Sequence, residues 1–216
     1  MTNLILHYHP LASFCWKVLI ALYEKEIEFT PAMVDLGDPQ SREAFAALWP
    51  IAKMPVLEDS DHARALPETS IIIEYLDGLF PEGVRLVPEA PDLARATRLW
   101  DRIYDNYVQA PMQKIVADRL RPEGQRDPFG VGEARALLKT AMGMIDRELE
   151  NRRWAAGDRF TMADCAAAPA LFYAGRVMPF EGYANASAYL ERLKARPSFA
   201  KVLAEAGPYF QYFPES

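Results

Sequence analysis

A chain of 216 residues and 24.4 kDa, 50% hydrophobic with a mean hydropathy of -0.13, carries enough apolar side chain to bury one large core or two small ones. A net charge of -6 and a pI of about 5.2, with acids and bases interspersed, argue against a nucleic-acid or anionic-membrane partner, and no uncharged run reaches the length of a bilayer span. Two cysteines, Cys15 and Cys165, are too few for a disulfide framework; with neither a basic leader nor a long apolar stretch at the N-terminus, the expected setting is a reducing cytoplasm.

In chain order the first elements are short and alternate. A strand over 4–8 leads through Pro10 and Leu11 into a helix over 14–24, with Phe14, Val18 and Leu22 on one face and Cys15 and Leu19 beside them. Ser13 is a good N-cap residue there, so the positive end of the helix dipole falls at Ala12 and Ser13, a corner that favours an anion such as a thiolate. A strand over 28–34, a helix over 40–48, strands over 55–58 and 63–66 joined as a hairpin, and a helix over 70–79 follow. This order predicts a small mixed α/β sheet with helices packed on it.

The chain changes character near residue 80. FPEGVRLVPEAP has the composition of an ordered linker, assigned to residues 81–91, which separates a domain over 1–80 from one over 92–216. Beyond it only helical patterns occur: 92–120 with a bend expected at Pro111, then 131–150, then a helix opened by the Thr-x-x-Asp capping box at Thr161–Asp164. The small-residue run CAAAPAL in that helix suits a central position. Shorter helices over 185–195 and 197–205 and an aromatic tail, Tyr209 to Phe213, end the chain.

The strand-turn-helix at 4–23, KMPVLED at 53–59, ETSIIIEYL at 68–76 and FTMADCAAAPAL at 160–171 stand in an order and at separations that resemble a cytosolic glutathione transferase across nearly the whole chain. The resemblance implies a thioredoxin-like N-terminal domain, an all-helical C-terminal domain, a homodimer, and glutathione as co-substrate, with no metal, in detoxification. It implies that Met54-Pro55 is a cis bond whose preceding main chain pairs with the cysteinyl part of glutathione; from residues alone Pro55 reads as an ordinary trans proline opening an edge strand. Glu68-Thr69, at a helix start, can hold the ammonium and carboxylate of a γ-glutamyl group, or can be a helix-opening acid and a capping Thr. Lys53 is placed to meet the glycine carboxylate, or is simply solvated.

The departure lies at the catalytic position. In serine-type members the activating hydroxyl stands five residues before the basic residue that matches Lys17, and Ala12 is there. Ser13 is the nearest hydroxyl, Tyr8 resembles the tyrosine of other classes, and the helix end alone is the third way to hold a thiolate. The tetrad Ala12-Ser13-Phe14-Cys15 lacks the attacking cysteine of a Cys-x-x-Cys, so Cys15 is expected in the core. His7 and His9 have no third ligand at suitable spacing and do not make a metal site.

By the resemblance, Ala12 borders the bound glutathione, and a second, apolar substrate meets Tyr104, Tyr107, Val108, Met112, Phe172 and Tyr173; at helical spacing the same residues also suit a core. The expected activity is activation of the glutathione thiol for attack on a small hydrophobic electrophile, by conjugation, peroxide reduction, dehalogenation or isomerisation. The rivals are a non-catalytic binding or assembly module of the same shape and a disulfide reductase.

Overall fold

The computed structural model describes residues 3–214. Strand β1 (Leu4–Tyr8) buries Leu4 and Leu6 on one face and runs through the middle of a four-stranded sheet of order β2-β1-β3-β4. β2 (Thr30–Met33) lies parallel to it with Ile5 opposite Thr30, and β3 (Val56–Asp59) antiparallel with Leu6 opposite Leu57. β4 (Arg64–Pro67) closes the expected hairpin. Pro31 is tolerated in β2 because that strand has a free edge. The hairpin turn is fixed by the buried Asp59 carboxylate, which accepts from the Asp61 N–H at 3.1 Å and the Tyr75 hydroxyl at 2.6 Å.

Helices α1 (Ser13–Glu24) and α3 (Thr69–Leu79) cover one face of the sheet. On the other, Phe45 of α2 (Pro39–Leu48) meets Val34 and Val56. The fold is therefore the α/β N-terminal domain with a helical C-terminal domain that the sequence predicts.

The segment expected as one helix bent at Pro111 is α4 (Pro91–Ile103), a π-helical turn over Tyr104–Gln109, and α5 (Ala110–Arg119). Pro111 has no N–H to donate to the carbonyl four residues back, and the wider turn just before it absorbs that mismatch. After α6 (Pro128–Glu148), α7 (Met162–Val177) runs almost wholly buried through the second domain, where its alanines let α1, α4 and the π turn approach closely. Helices α8 (Ala184–Lys194) and α9 (Pro197–Ala206) and a short 3-10 turn complete the chain.

The capping box is formed, and Asp164 does more than cap. Its carboxylate accepts from the Thr161 N–H and the Ala155 N–H, each at 2.8 Å, and from the Tyr189 hydroxyl, tying α7 to α8. Burial outweighs these donors and pushes its pKa up to about 6.

Two apolar and ionic contacts weld the domains. Trp16 is fully buried between Phe172 and Tyr173 of α7 and Phe199 of α9, with ring centroids 5.1, 4.8 and 5.9 Å away. Beside it Lys17, 1% exposed, places its ammonium 2.6 Å from Asp101 and 2.8 Å from Asp105, with Ser70 of α3 at 3.0 Å. Burial pushes the Asp105 carboxyl above its ordinary range, with Lys17 and Arg102 opposing.

Removing Lys17 leaves two buried carboxylates with only the half-exposed Arg102 as counter-ion. Lys17→Met is expected to cost about 3–5 kcal/mol in denaturant melts, and Lys17→Met combined with Asp105→Asn to recover part of it. Asp164→Ala, which leaves two buried N–H groups without an acceptor, is expected to cost about 2–4 kcal/mol. Because the folded pKa of Asp164 lies above its unfolded value of 3.8, the folded state holds that proton more firmly. Its contribution is full below the unfolded value and is lost as pH rises through about 6. The stability gap between wild type and Asp164→Asn should accordingly shift against wild type between acid and neutral pH, read from melts across that range.

Candidate functional site

The turn after β1 sets the site. Pro10 ends the strand, the Tyr173 hydroxyl of α7 donates to the Leu11 carbonyl at 2.8 Å, and the Ala12 N–H donates to the His9 carbonyl at 2.9 Å. Ala12, not Ser13, is the N-cap of α1, and no side chain caps it. Ser13 is the first helical residue instead, because its hydroxyl is turned inward to accept from the Gln109 amide of the π turn. The Ser13 and Phe14 N–H groups, with no preceding turn to bond to, make the uncapped positive end of the helix.

That helix end faces a cleft of about 500 Å³, lined by Ala12, Ser13, Lys53 and Met54 together with the β2–α2 loop at Asp35 to Gly37. The Met54-Pro55 bond is cis, and the Met54 N–H and C=O make no backbone hydrogen bond among the described residues. The cleft continues past Lys53 and Met54 into a smaller pocket of about 220 Å³ that adds Pro55, Glu68, Thr69 and, from the second domain, Arg102 and Asp105. Glu68 takes φ 70°, left-handed backbone that a residue with a side chain adopts only when its surroundings impose it, and so sets the start of α3. Thr69 is buried, while Glu68 and Lys53 are exposed at the rim.

On the other side of the 11–13 turn lies a cavity of about 400 Å³, walled by Met112, Val116, Tyr173 and Phe213 with no charged side chain in its lining. Leu11, Ala12 and Ser13 belong to both cavities, so the helix end is the partition between a polar cleft and an apolar one.

Several expected residues stand elsewhere. Tyr8 lines neither cavity; burial, then Glu205 and Tyr209, push its hydroxyl above the usual range, so it is a neutral packing residue on the α9 side. Tyr104 and Val108 are fully buried in the helical core, since the π turn rotates them toward α6 and α7. Phe172 packs on Trp16 and Phe210, and Tyr107 is half exposed, whereas Met112 and Tyr173 do line the apolar cavity. Ser13, Ala12, Lys53, Met54, Pro55, Glu68 and Thr69 are brought together around the two polar pockets.

Sequence reading missed the second domain's share of the polar site, Arg102 and Asp105, and the Gln109 amide behind Ser13. Their signal was the spacing Asp101, Asp105, Gln109 on a segment assigned only an apolar role. It also missed His9 in the cleft wall, whose Nδ1 accepts from the Leu11 N–H at 3.1 Å and whose pKa burial lowers. His7 sits apart from it, 3.0 Å from Glu58. Cys15 is fully buried and its thiol is pushed up to about 12, which makes it inert. Among the described residues no group of three or more His, Cys, Asp or Glu is placed to hold a metal ion, and no helix is long and apolar enough to cross a membrane.

The model for the glutathione S-transferase N-terminal domain matches residues 6–83, and that for the C-terminal domain matches residues 107–192. The chain is 32% identical over 212 residues to FtsZ-localized protein A of Caulobacter vibrioides, covering 94% of this chain and 92% of that one. It is 30% identical over 210 residues to a glutathione S-transferase of Silene vulgaris, covering 92% and 95%. Among solved structures, a glutathione S-transferase of Methylobacillus flagellatus with glutathione bound superposes with a TM-score of 0.86 at 26% identity, covering 93% of this chain and 98% of that one. Two domain models in sequence over one α/β-plus-helical fold identify the chain as a member of the glutathione S-transferase family.

Proposed function

We propose that the chain is a glutathione transferase that binds glutathione across the two polar pockets and directs its sulfur, as thiolate, at a small apolar electrophile held in the neighbouring cavity. The observation that carries this reading is the uncapped N-terminus of α1 standing as the shared wall of a polar cleft and an uncharged one. A free thiol has a pKa near ~8.5 and is only a few per cent thiolate at neutral pH. The Ser13 and Phe14 N–H groups and the Ser13 hydroxyl favour the anion at that point.

The rest of the tripeptide has a partner for each group. The unpaired Met54 N–H and C=O suit the cysteinyl main chain, and Lys53 suits the glycine carboxylate. In the smaller pocket the Thr69 end of α3 and Arg102 suit the γ-glutamyl carboxylate, while Glu68 and Asp105 suit its ammonium. The uncharged cavity walled by Met112 and Tyr173 suits a neutral, apolar second substrate. A homodimer belongs to the same reading, supported by exposed Ile71 on α3 and Leu93 and Leu99 on α4 at 54, 51 and 57%. So do a cytoplasmic setting and a role in detoxification.

A second reading, a binding or assembly module without turnover, is favoured by Ala12 at the hydroxyl position and by the relative named FtsZ-localized protein A. Isothermal calorimetry with millimolar glutathione is expected to register binding, and Glu68→Gln to weaken it about tenfold, roughly 1.4 kcal/mol. Absence of heat in the wild type rejects the glutathione site. Binding without turnover of an aryl halide, a peroxide or a disulfide replaces the enzyme reading with the module.

A further inference from the structure

The wall between the polar cleft and the uncharged cavity has a contribution from the second domain. Gln113 of α5 lines both, together with the 11–13 turn. Toward the uncharged cavity α5 presents Met112, Gln113, Val116, Ala117 and Leu120, a face that is apolar except for Gln113. Among them Gln113 alone also lines the cleft. The polar member of the face therefore stands at the end of the cavity that meets the N-terminus of α1, where the reading above places the sulfur.

The other polar side chains of that cavity are committed. The Tyr173 hydroxyl donates to the Leu11 carbonyl at 2.8 Å, and Ser13 pairs with Gln109 at the helix end itself. Gln113 is exposed and pairs with no group among the described residues, so water satisfies it until a ligand takes that place. A carboxamide on a free side chain presents an N–H by rotation, whichever way its two atoms lie.

This placement selects a class of electrophile. A neutral donor beside the sulfur lowers a barrier where negative charge develops on an oxygen conjugated with the attacked carbon. The cavity lining has no charged side chain to receive a departing anion, which disfavours displacement of a halide. Addition to an α,β-unsaturated carbonyl meets both conditions, since no group leaves and the charge appears on one oxygen.

We infer that Gln113 holds the carbonyl oxygen of an α,β-unsaturated aldehyde or ketone and stabilises the enolate formed as the glutathione sulfur adds to it. The inference rests on the glutathione reading above and names its second substrate. The sulfur forms a bond to the β-carbon. The alkene π pair moves to the bond between α-carbon and carbonyl carbon, and the carbonyl π pair moves to the oxygen, which accepts from the Gln113 N–H. Water then protonates the α-carbon and the carbonyl re-forms. That proton balances the one the thiol released to solvent, so nothing is oxidised, reduced or expelled.

The test compares kcat/KM with glutathione for a straight-chain 2-alkenal and for an alkyl bromide of equal length, each above its uncatalysed rate, with glutathione affinity measured by calorimetry. Wild type is expected to turn over the alkenal. A fully enclosed donor of this kind is worth about 10²–10³ in rate, so for the exposed Gln113 the alkenal-to-bromide ratio should fall about tenfold in Gln113→Leu, with the loss in kcat. Gln113→Glu, close in shape but able only to accept, should lower the ratio at least as far. A ratio unmoved in either variant, or a wild type that turns over the bromide and not the alkenal, overturns this inference alone. Wild-type protein that binds no glutathione overturns the glutathione reading and this inference together. Glutathione binding with turnover of neither substrate overturns this inference and leaves only the glutathione site.

Discussion

The junction of the two domains depends on one buried cation. Lys17 is held between Asp101 and Asp105, both buried, with Asp105 at the edge of the smaller polar pocket. A pair of this kind adds little net stability, since desolvation consumes most of the attraction. Its value is discrimination. Sliding α1 by one turn against the second domain would leave Lys17 facing apolar side chains and the two carboxylates with the half-exposed Arg102 alone, a larger penalty than the loss of a few packing contacts. Trp16, packed against Phe172, Tyr173 and Phe199, supplies the adhesion that Lys17 orients.

That orientation explains the site. A loop placed only by its own turn geometry would leave the α1 N-terminus free to cap itself with Ser13, and the helix end would then offer fewer donors to a ligand. Here the seam fixed by Lys17 brings Gln109 to Ser13, draws the hydroxyl away from its capping role, and leaves the N–H groups unsatisfied at the cleft. Tyr173 restrains the same turn from below through the Leu11 carbonyl. A helix end kept bare by the rest of the molecule is stored binding capacity for an anion.

Much of this was legible in the chain because it is local. The β1–α1 unit, the hairpin, and the capping box at Thr161–Asp164 each announce themselves through alternation, turn residues and cap chemistry, and the elements appear within a residue or two of where those signals put them. The polar pocket residues of the first domain were legible for the same reason, clustering as short motifs at element starts. The failures are tertiary. Ser13 reads as an N-cap until a residue 96 positions away takes its hydroxyl. Tyr104 and Val108 read as pocket lining on an ideal helix, and the π turn, forced by Pro111 and packing, sends them into the core. Periodicity at 100° per residue has no means of announcing a turn that breaks that period.

Alanine at the position that carries a hydroxyl in serine-type relatives bears directly on whether this member turns over substrate. A helix N-terminus favours an anion by about 0.3–1 kcal/mol, up to about 2 where partly buried. A hydrogen bond to a charged group adds about 1.5–3 kcal/mol. On these magnitudes the bare end of α1 alone lowers a thiol pKa by about one and a half units at most, which leaves much of a bound thiol protonated at neutral pH. A further donor moves the balance to the thiolate. The only hydroxyl among the described residues walling both cavities is that of Ser13, and it pairs with the Gln109 amide of the second domain. On the proposed glutathione reading, thiolate formation at the bare end of α1 thus depends on whether that hydroxyl reaches the sulfur, and the side chain it pairs with belongs to the second domain, not the first.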